Sequence, residues 1–189
     1  MTTKAKTISP KKMLELKDKL FLSCISKDES RYNIHNKIHH NKDLKALTTT
    51  DGYTAMLDYT NYCKILGEMN KPLDVKTLKI AEHVTYPNLQ PIIPSKSKAV
   101  KTFNITFEAD AFSFIKEKYS SLYIYEDGSY SPKQIEGKQH IVAVDPNFLK
   151  LLQGVPLKLY FFAELSPLIL TFTSHYDLMM DYIVMPKKA

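Results

Sequence analysis

Two cysteines in 189 residues, Cys24 and Cys63, are too few for a framework of disulfide bridges. We read them as free thiols in a reducing compartment. Five glycines leave little material for a loop that cradles phosphate. The chain has no G-x-G-x-x-G, no P-loop and no G-x-S-x-G. Its longest apolar runs, 157–163 and 168–172, fall far short of the roughly 20 residues that a spanning helix needs. The first residues, MTTKAKTISPKK, are charged and lack the apolar stretch of a signal peptide. These absences lead us to expect a soluble cytoplasmic protein with no membrane partner. His35, His39 and His40 have no cysteine or carboxylate at zinc-motif spacing, and strand alternation sends His39 and His40 to opposite faces. No metal, no cofactor and no catalytic residue is expected, and the chain does not read as an enzyme.

What is present is ordinary for a globular protein: 44% hydrophobic, 24% charged and 11% aromatic residues. That composition supports a real core, and the length suits one domain or two small ones. The net charge is +6 and lies toward the front. Residues 1–60 carry 11 basic and 7 acidic groups, 61–138 carry 11 and 9, and 139–189 carry 4 of each. Six lysines precede residue 20. Such a bias favours polyanions through counterion release, though many proteins with other roles share it.

The chain opens on a helix. Ser9 is a suitable N-cap and Pro10 suits the first helical position, where a missing N–H costs nothing. From Lys11 to about Leu22, Lys11, Lys12, Glu15, Asp18 and Lys19 share one charged arc. Met13, Leu14, Leu16, Leu20 and Phe21 spread over the opposite arc, which Lys17 interrupts with a stem able to snorkel. Three strands are expected next, within 31–40, 44–50 and 53–59, the last two joined by the tight turn Asp51-Gly52. A short helix is expected over 60–69. Pro87, Pro91 and Pro94 make 85–98 an extended connector. A strand over 101–107, a helix over 108–119 and an exposed loop over 126–139 follow. In the last fifty residues, His140–Val144 reads as a strand and Asp145-Pro146 as an N-cap with proline at N1. One or two helical turns then run to Gly154, and three strands close the chain. A helix followed by three strands thus occurs twice.

Several stretches carry a resemblance. ISKDESRYNIHN (25–36) with TTTDGYTAML (48–57), YPNLQPIIP (86–94), VDPNFLKLLQ (144–153), SPLILTF (166–172) and DYIVMPKK (181–188) resemble, in the same order, segments of the bacterial DNA polymerase III beta subunit, the sliding-clamp family. Together they cover about half of the chain. The resemblance implies an α+β, DNA-clamp-like fold of repeated helix-plus-three-strand halves with antiparallel sheets. It implies one clamp-like domain over 1–189, with half one at about 9–60, an elaborated middle at 61–138 and half two at 139–187. The alternative is two truncated clamp domains, 1–95 and 96–189. The family's histidine-arginine pair after the turn is Tyr53-Thr54 here, and its basic connector residue is Pro91.

By the same resemblance, the chain is a sliding-clamp-like processivity factor or accessory protein of DNA replication or repair, encoded by a phage or mobile element. DNA would be held non-specifically through phosphates by Lys11, Lys12, Lys19 and Arg31. The plainer alternative is that these cations solvate an exposed helix face. DNA polymerase or repair proteins would dock through short linear motifs in a peptide groove walled by Thr50, Gly52, Tyr53, Pro87, Ile92, Ile183, Met185 and Pro186. The plainer alternative there is core packing for Ile183 and strand termination for Pro186. Encirclement would require a homo-oligomer; the alternative function is an interaction module that keeps the fold and groove without closing around DNA.

Overall fold

The computed structural model describes residues 10–24, 37–41, 43–59, 73–74, 88–108, 110–113, 121–163, 165–172 and 180–187. Its first element is helix α1 (Pro10–Ser23). Strands β1 (Lys37–Asn41), β2 (Ala46–Thr50) and β3 (Thr54–Asp58) follow, then the two-residue β4 (Leu73–Asp74). After the connector come β5 (Lys101–Ile105), β6 (Leu122–Tyr125), β7 (Tyr130–Ser131) and β8 (His140–Val144). Helix α2 (Pro146–Leu149) runs into a tighter turn at Lys150–Leu152, and β9 (Leu157–Phe161), β10 (Leu168–Phe172) and β11 (Met180–Val184) complete the order.

Eight strands form one sheet in the order β4-β1-β2-β3-β11-β10-β9-β5, every neighbouring pair antiparallel. The two groups of three strands meet at β3 and β11, with Thr54 opposite Val184 and Asp58 opposite Met180. A smaller antiparallel sheet has the order β7-β6-β8. The architecture is the expected α+β arrangement of helices and antiparallel sheets.

Strand alternation gives the large sheet two faces. Met56, Leu157, Leu159, Leu168, Leu170, Met180, Tyr182 and Val184 face the main core together with Leu20 of α1, Leu149 and Leu152 after β8, and Leu122, Ile124, Val142 and Val144 of the small sheet. The other face carries Ala46, Ala55, Leu57, Ile169 and Ile183, covered by Leu89 and Ile93 of the connector. The same alternation points Asp58 toward α1 and Asp181 toward the connector.

Several expectations need correction. Lys17 does not snorkel: it is buried on the inner side of α1, with Nζ 3.0 Å from Oδ2 of the buried Asp58. The connector is turned rather than extended, because the amides of Ile92 and Ile93 both donate to the Leu89 carbonyl and Lys96–Lys98 forms a further helical turn. Strands β4 and β6 were not anticipated, and β7 interrupts the supposed loop over 126–139. Asp145 does cap α2, accepting from the Asn147 amide. Ser9, the expected strand segment 31–36, the expected helix over 60–69 and most of that over 108–119 lie outside the described residues. Among the described residues, no helix is long and apolar enough to cross a membrane.

The buried pair ties α1 to β3, and its arithmetic is testable. Removing one partner strands a buried charge and costs about 3–5 kcal/mol, whereas replacing both with apolar residues is often neutral. Asp58→Ala should therefore lower urea stability by about that amount, and Lys17→Met with Asp58→Leu should recover most of it. A loss below about 1 kcal/mol in the single variant would show that the pair does not hold the helix.

Candidate functional site

The β2–β3 hairpin turns on a compact set of hydrogen bonds. Asp51 Oδ1 accepts from the Tyr53 amide at 2.8 Å, the Thr54 amide at 2.6 Å and the Thr54 hydroxyl at 3.1 Å. The Thr50 hydroxyl donates to the Thr54 carbonyl at 2.7 Å and accepts from the Gly52 amide at 3.0 Å. Gly52 sits at φ +90°, a region open to glycine and strained for other residues. Locally this is why the chain carries Thr-Asp-Gly here: a carboxylate to gather the donors and a glycine to reverse direction. Cys24 Sγ lies 3.5 Å from the Thr54 hydroxyl oxygen, a contact that joins the turn to the end of α1. Burial pushes the Cys24 thiol up to about 12, which makes it a packing group rather than a nucleophile.

Beside this turn, the Met185 amide donates to the Tyr53 carbonyl at 2.9 Å and prolongs the β3–β11 pairing by one link. The turn, the connector and the end of β11 enclose an apolar cleft of about 120 Å³. Its lining includes Thr50, Gly52, Tyr53, Ile92, Ile183 and Met185, six of the eight residues named for the groove from the sequence, although these come from three separate stretches. Ile183 is only 4% exposed and serves the core as well as the cleft floor. Tyr53 and Ile92 are both more than half exposed at the rim. Pro186 is half-buried and does not line the cleft, and Pro87 lies outside the described residues. Thr54, Ala55, Leu89 and Ile93 complete the lining and were missed. Leu89 and Ile93 carried no signal on a segment read as extended, because they share a side only once the connector turns.

Tyr53 extends the apolar surface outward. Its ring stacks on Phe148 at 6.4 Å between centroids, 18° from parallel. The lining can exclude water from an apolar side chain; it carries no carboxylate, imidazole, amine or thiol, and the phenol of Tyr53 belongs to a residue more than half exposed at the rim. Among the described residues, no three histidines, cysteines or carboxylates gather as a metal site.

The cations named for DNA sit on the helix layer. Lys12 and Lys19 are exposed on α1, interspersed with exposed Glu15 and Asp18. Lys150 is exposed on the turn that packs beside α1. Lys11 belongs to α1, and Arg31 lies outside the described residues.

No family model matches the chain, and no curated protein matches it. Solved structures do. The beta subunit of DNA polymerase from Streptococcus pyogenes aligns with a TM-score of 0.60 at 12% identity, over 100% of this chain and 68% of that one. The Helicobacter pylori beta clamp bound to a DNA ligase peptide aligns at 0.59 and 11%, over 93% of this chain and 64% of that one. A sliding clamp from Bartonella birtlesii bound to griselimycin aligns at 0.59 and 13%, over 100% and 68%. The chain has the sliding-clamp fold.

Because Asp51 gathers three donors, its loss should loosen the rim of the cleft. Asp51→Ala is expected to cost about 0.5–2 kcal/mol in denaturant unfolding, the range for losing a side chain that caps partly exposed backbone donors. An unchanged midpoint would mean that the turn holds its shape through glycine alone.

Proposed function

We propose that this protein is a clamp-like accessory factor of DNA replication or repair that tethers partner proteins by seating short apolar peptide segments in the cleft between the Thr50–Ala55 turn, the connector and β11. The convergence of six residues from three distant stretches on one apolar depression carries this reading. The DNA ligase peptide bound to the Helicobacter pylori clamp supplies a probe for such a ligand. Apolar burial supplies the affinity, and the hydrogen bonds within the turn keep the cleft rim in shape. The factor has no chemistry of its own.

Met185 separates binding from folding, since it is half-buried at the cleft whereas Ile183 is a core residue. Met185→Ala should weaken the ligase peptide roughly ten-fold, equivalent to about 1.4 kcal/mol, with little change in thermal stability. Equal affinity in a fluorescence-anisotropy titration would remove the cleft as the binding site. Absence of any binding by the unmodified protein would remove this peptide class.

A second reading, non-specific DNA contact, is favoured by one observation. Lys12, Lys19 and Lys150 lie on the same helix layer, on the side of the large sheet away from the connector. Glu15 and Asp18 share that surface, so the attraction is weak and strongly salt-dependent. Each phosphate neutralised contributes about 0.9 to the slope of log affinity against log salt. Lys12→Glu with Lys19→Glu should lower that slope by about 2 and abolish retention on duplex DNA at low salt. Retention equal to that of the unmodified protein would sink the DNA assignment and leave a tethering module. We read 1–189 as one clamp-like domain, supported by the continuous β3–β11 pairing; closing around DNA requires head-to-tail association of copies. Light scattering at micromolar concentration distinguishes a closed oligomer from a monomer.

A further inference from the structure

The outer face of the large sheet holds a charge that its packing does not require. Asp181 is buried, 3% exposed, in the middle of β11. Its Oδ1 accepts from Lys96 Nζ at 2.7 Å and from the Thr171 hydroxyl at 2.6 Å. Its Oδ2 accepts from the Tyr59 hydroxyl at 3.1 Å. Thr171 stands directly opposite Asp181 on β10, so that bond spans neighbouring strands. Burial and the charge of Asp181 push the Tyr59 phenol above its ordinary value and keep it a donor. Lys96 also lies 5.4 Å from the ring centroid of Tyr160, which holds its stem over the sheet.

Lys96 comes from the connector, three residues after Ile93. The connector is therefore gripped at two places. Leu89 is buried against the sheet at its start, and Lys96 is pinned to Asp181 near its end. The cleft wall formed by Ile92 and Ile93 hangs between these two points. Apolar packing alone is non-directional and lets a short segment slide across a smooth face. The ion pair is directional: Asp181 is buried while Lys96 is 36% exposed, so losing the lysine leaves a buried carboxylate with only two neutral donors.

We propose that Asp181 and Lys96 are positioning residues for the cleft: a latch that fixes where the connector lies and so sets the separation of Ile92 and Ile93 from Ile183 and Met185. This rests on the reading of the cleft as a peptide site. A latch of merely structural value would protect the whole sheet equally; a positioning latch acts on the connector and on the ligand.

The test is Lys96→Met, which keeps the stem, removes the charge and leaves Asp181 with its Thr171 and Tyr59 donors. Lys96→Gln is the milder second variant, and Lys96→Arg is the conservative rescue. Amide hydrogen exchange read by NMR should become about ten-fold faster at Ile92, Ile93, Lys98 and Ala99, whose amides are bonded within the connector. Exchange at Tyr182 and Val184 of β11 should stay unchanged. The ligase peptide should bind five- to twenty-fold more weakly to the Met variant, and Lys96→Arg should restore most of both effects. Unchanged exchange in the connector overturns the latch whether or not peptide binds. Faster exchange with unchanged peptide affinity overturns the positioning role. If the unmodified protein takes up no peptide while the connector still loosens in the variant, the latch stands and the reading of the cleft falls.

Discussion

The pairing of β3 with β11 is the contact around which the rest of the molecule is arranged. It joins strands more than a hundred residues apart, from Thr54–Val184 to Asp58–Met180. Long-range pairing of this kind bears the full entropy of closing a large loop, and many ladder bonds and buried side chains must offset it. Here the offset comes from both faces at once, since Met56, Met180, Tyr182 and Val184 enter one cluster while Ala55, Leu57 and Ile183 enter the other. The cleft is a consequence of this register. A slip of one residue would turn Ile183 away from the connector and Asp58 away from the helix.

The two buried carboxylates make the same point from opposite sides. Asp58 stands opposite Met180, and Asp181 stands opposite Leu57, so the acids occupy adjacent rungs and face opposite ways. Each meets a lysine from the layer that covers its face: Lys17 from α1 on the inside and Lys96 from the connector on the outside. Hydrophobic side chains hold these layers on; on the latch proposal, the charges set where along the sheet they sit. A pattern of two covering layers, each registered by one ion pair against the central two strands, gives the fold a defined geometry where most of its contacts are directionless.

How much of this could be read from the residues depended on the range of the interaction. The Asp51-Gly52 turn and the Asp145-Pro146 cap were legible because their hydrogen bonds close within three residues. Strands β2, β3, β5, β9, β10 and β11 were legible from their runs of apolar residues, whereas the two-residue β4 was not. Lys17 was misjudged because its partner Asp58 is forty-one positions away, and no periodicity along α1 reveals it. The connector was expected to be extended on account of its prolines, yet the segment between Pro87 and Pro94 has amides free to bond to Leu89, and two of them do. Leu122–Tyr125 was overlooked because it has four residues with no punctuation of its own beyond the Asp127-Gly128 turn that follows. In the cleft, the residues found from resemblance were those of the turn, Ile92 and β11; Leu89 and Ile93 depend on how the connector folds, which the residues alone left open.

Charge and apolar surface divide the molecule's two faces, and that division bears on which contacts can dominate. The exposed arc of α1 alternates Lys12, Glu15, Asp18 and Lys19, so a polyanion meets attraction and repulsion within two helical turns. At physiological ionic strength, with a screening length of about 8 Å, each of these charges is felt locally and the net pull is small. The cleft on the other side owes nothing to charge. An apolar segment seated on Ile92, Ile93, Ile183 and Met185 would be held by the exclusion of water, a contribution insensitive to salts that merely screen. The two faces are therefore separable by ionic strength. Raising salt strips the helix layer of any hold on phosphate while leaving the cleft as it was. With Glu15 and Asp18 set among Lys12, Lys19 and Lys150, the helix layer offers a polyanion only a weak hold, so on the proposed reading the durable contact would be the apolar one, and DNA association would have to come from the topology of an assembled ring or from a partner seated in the cleft.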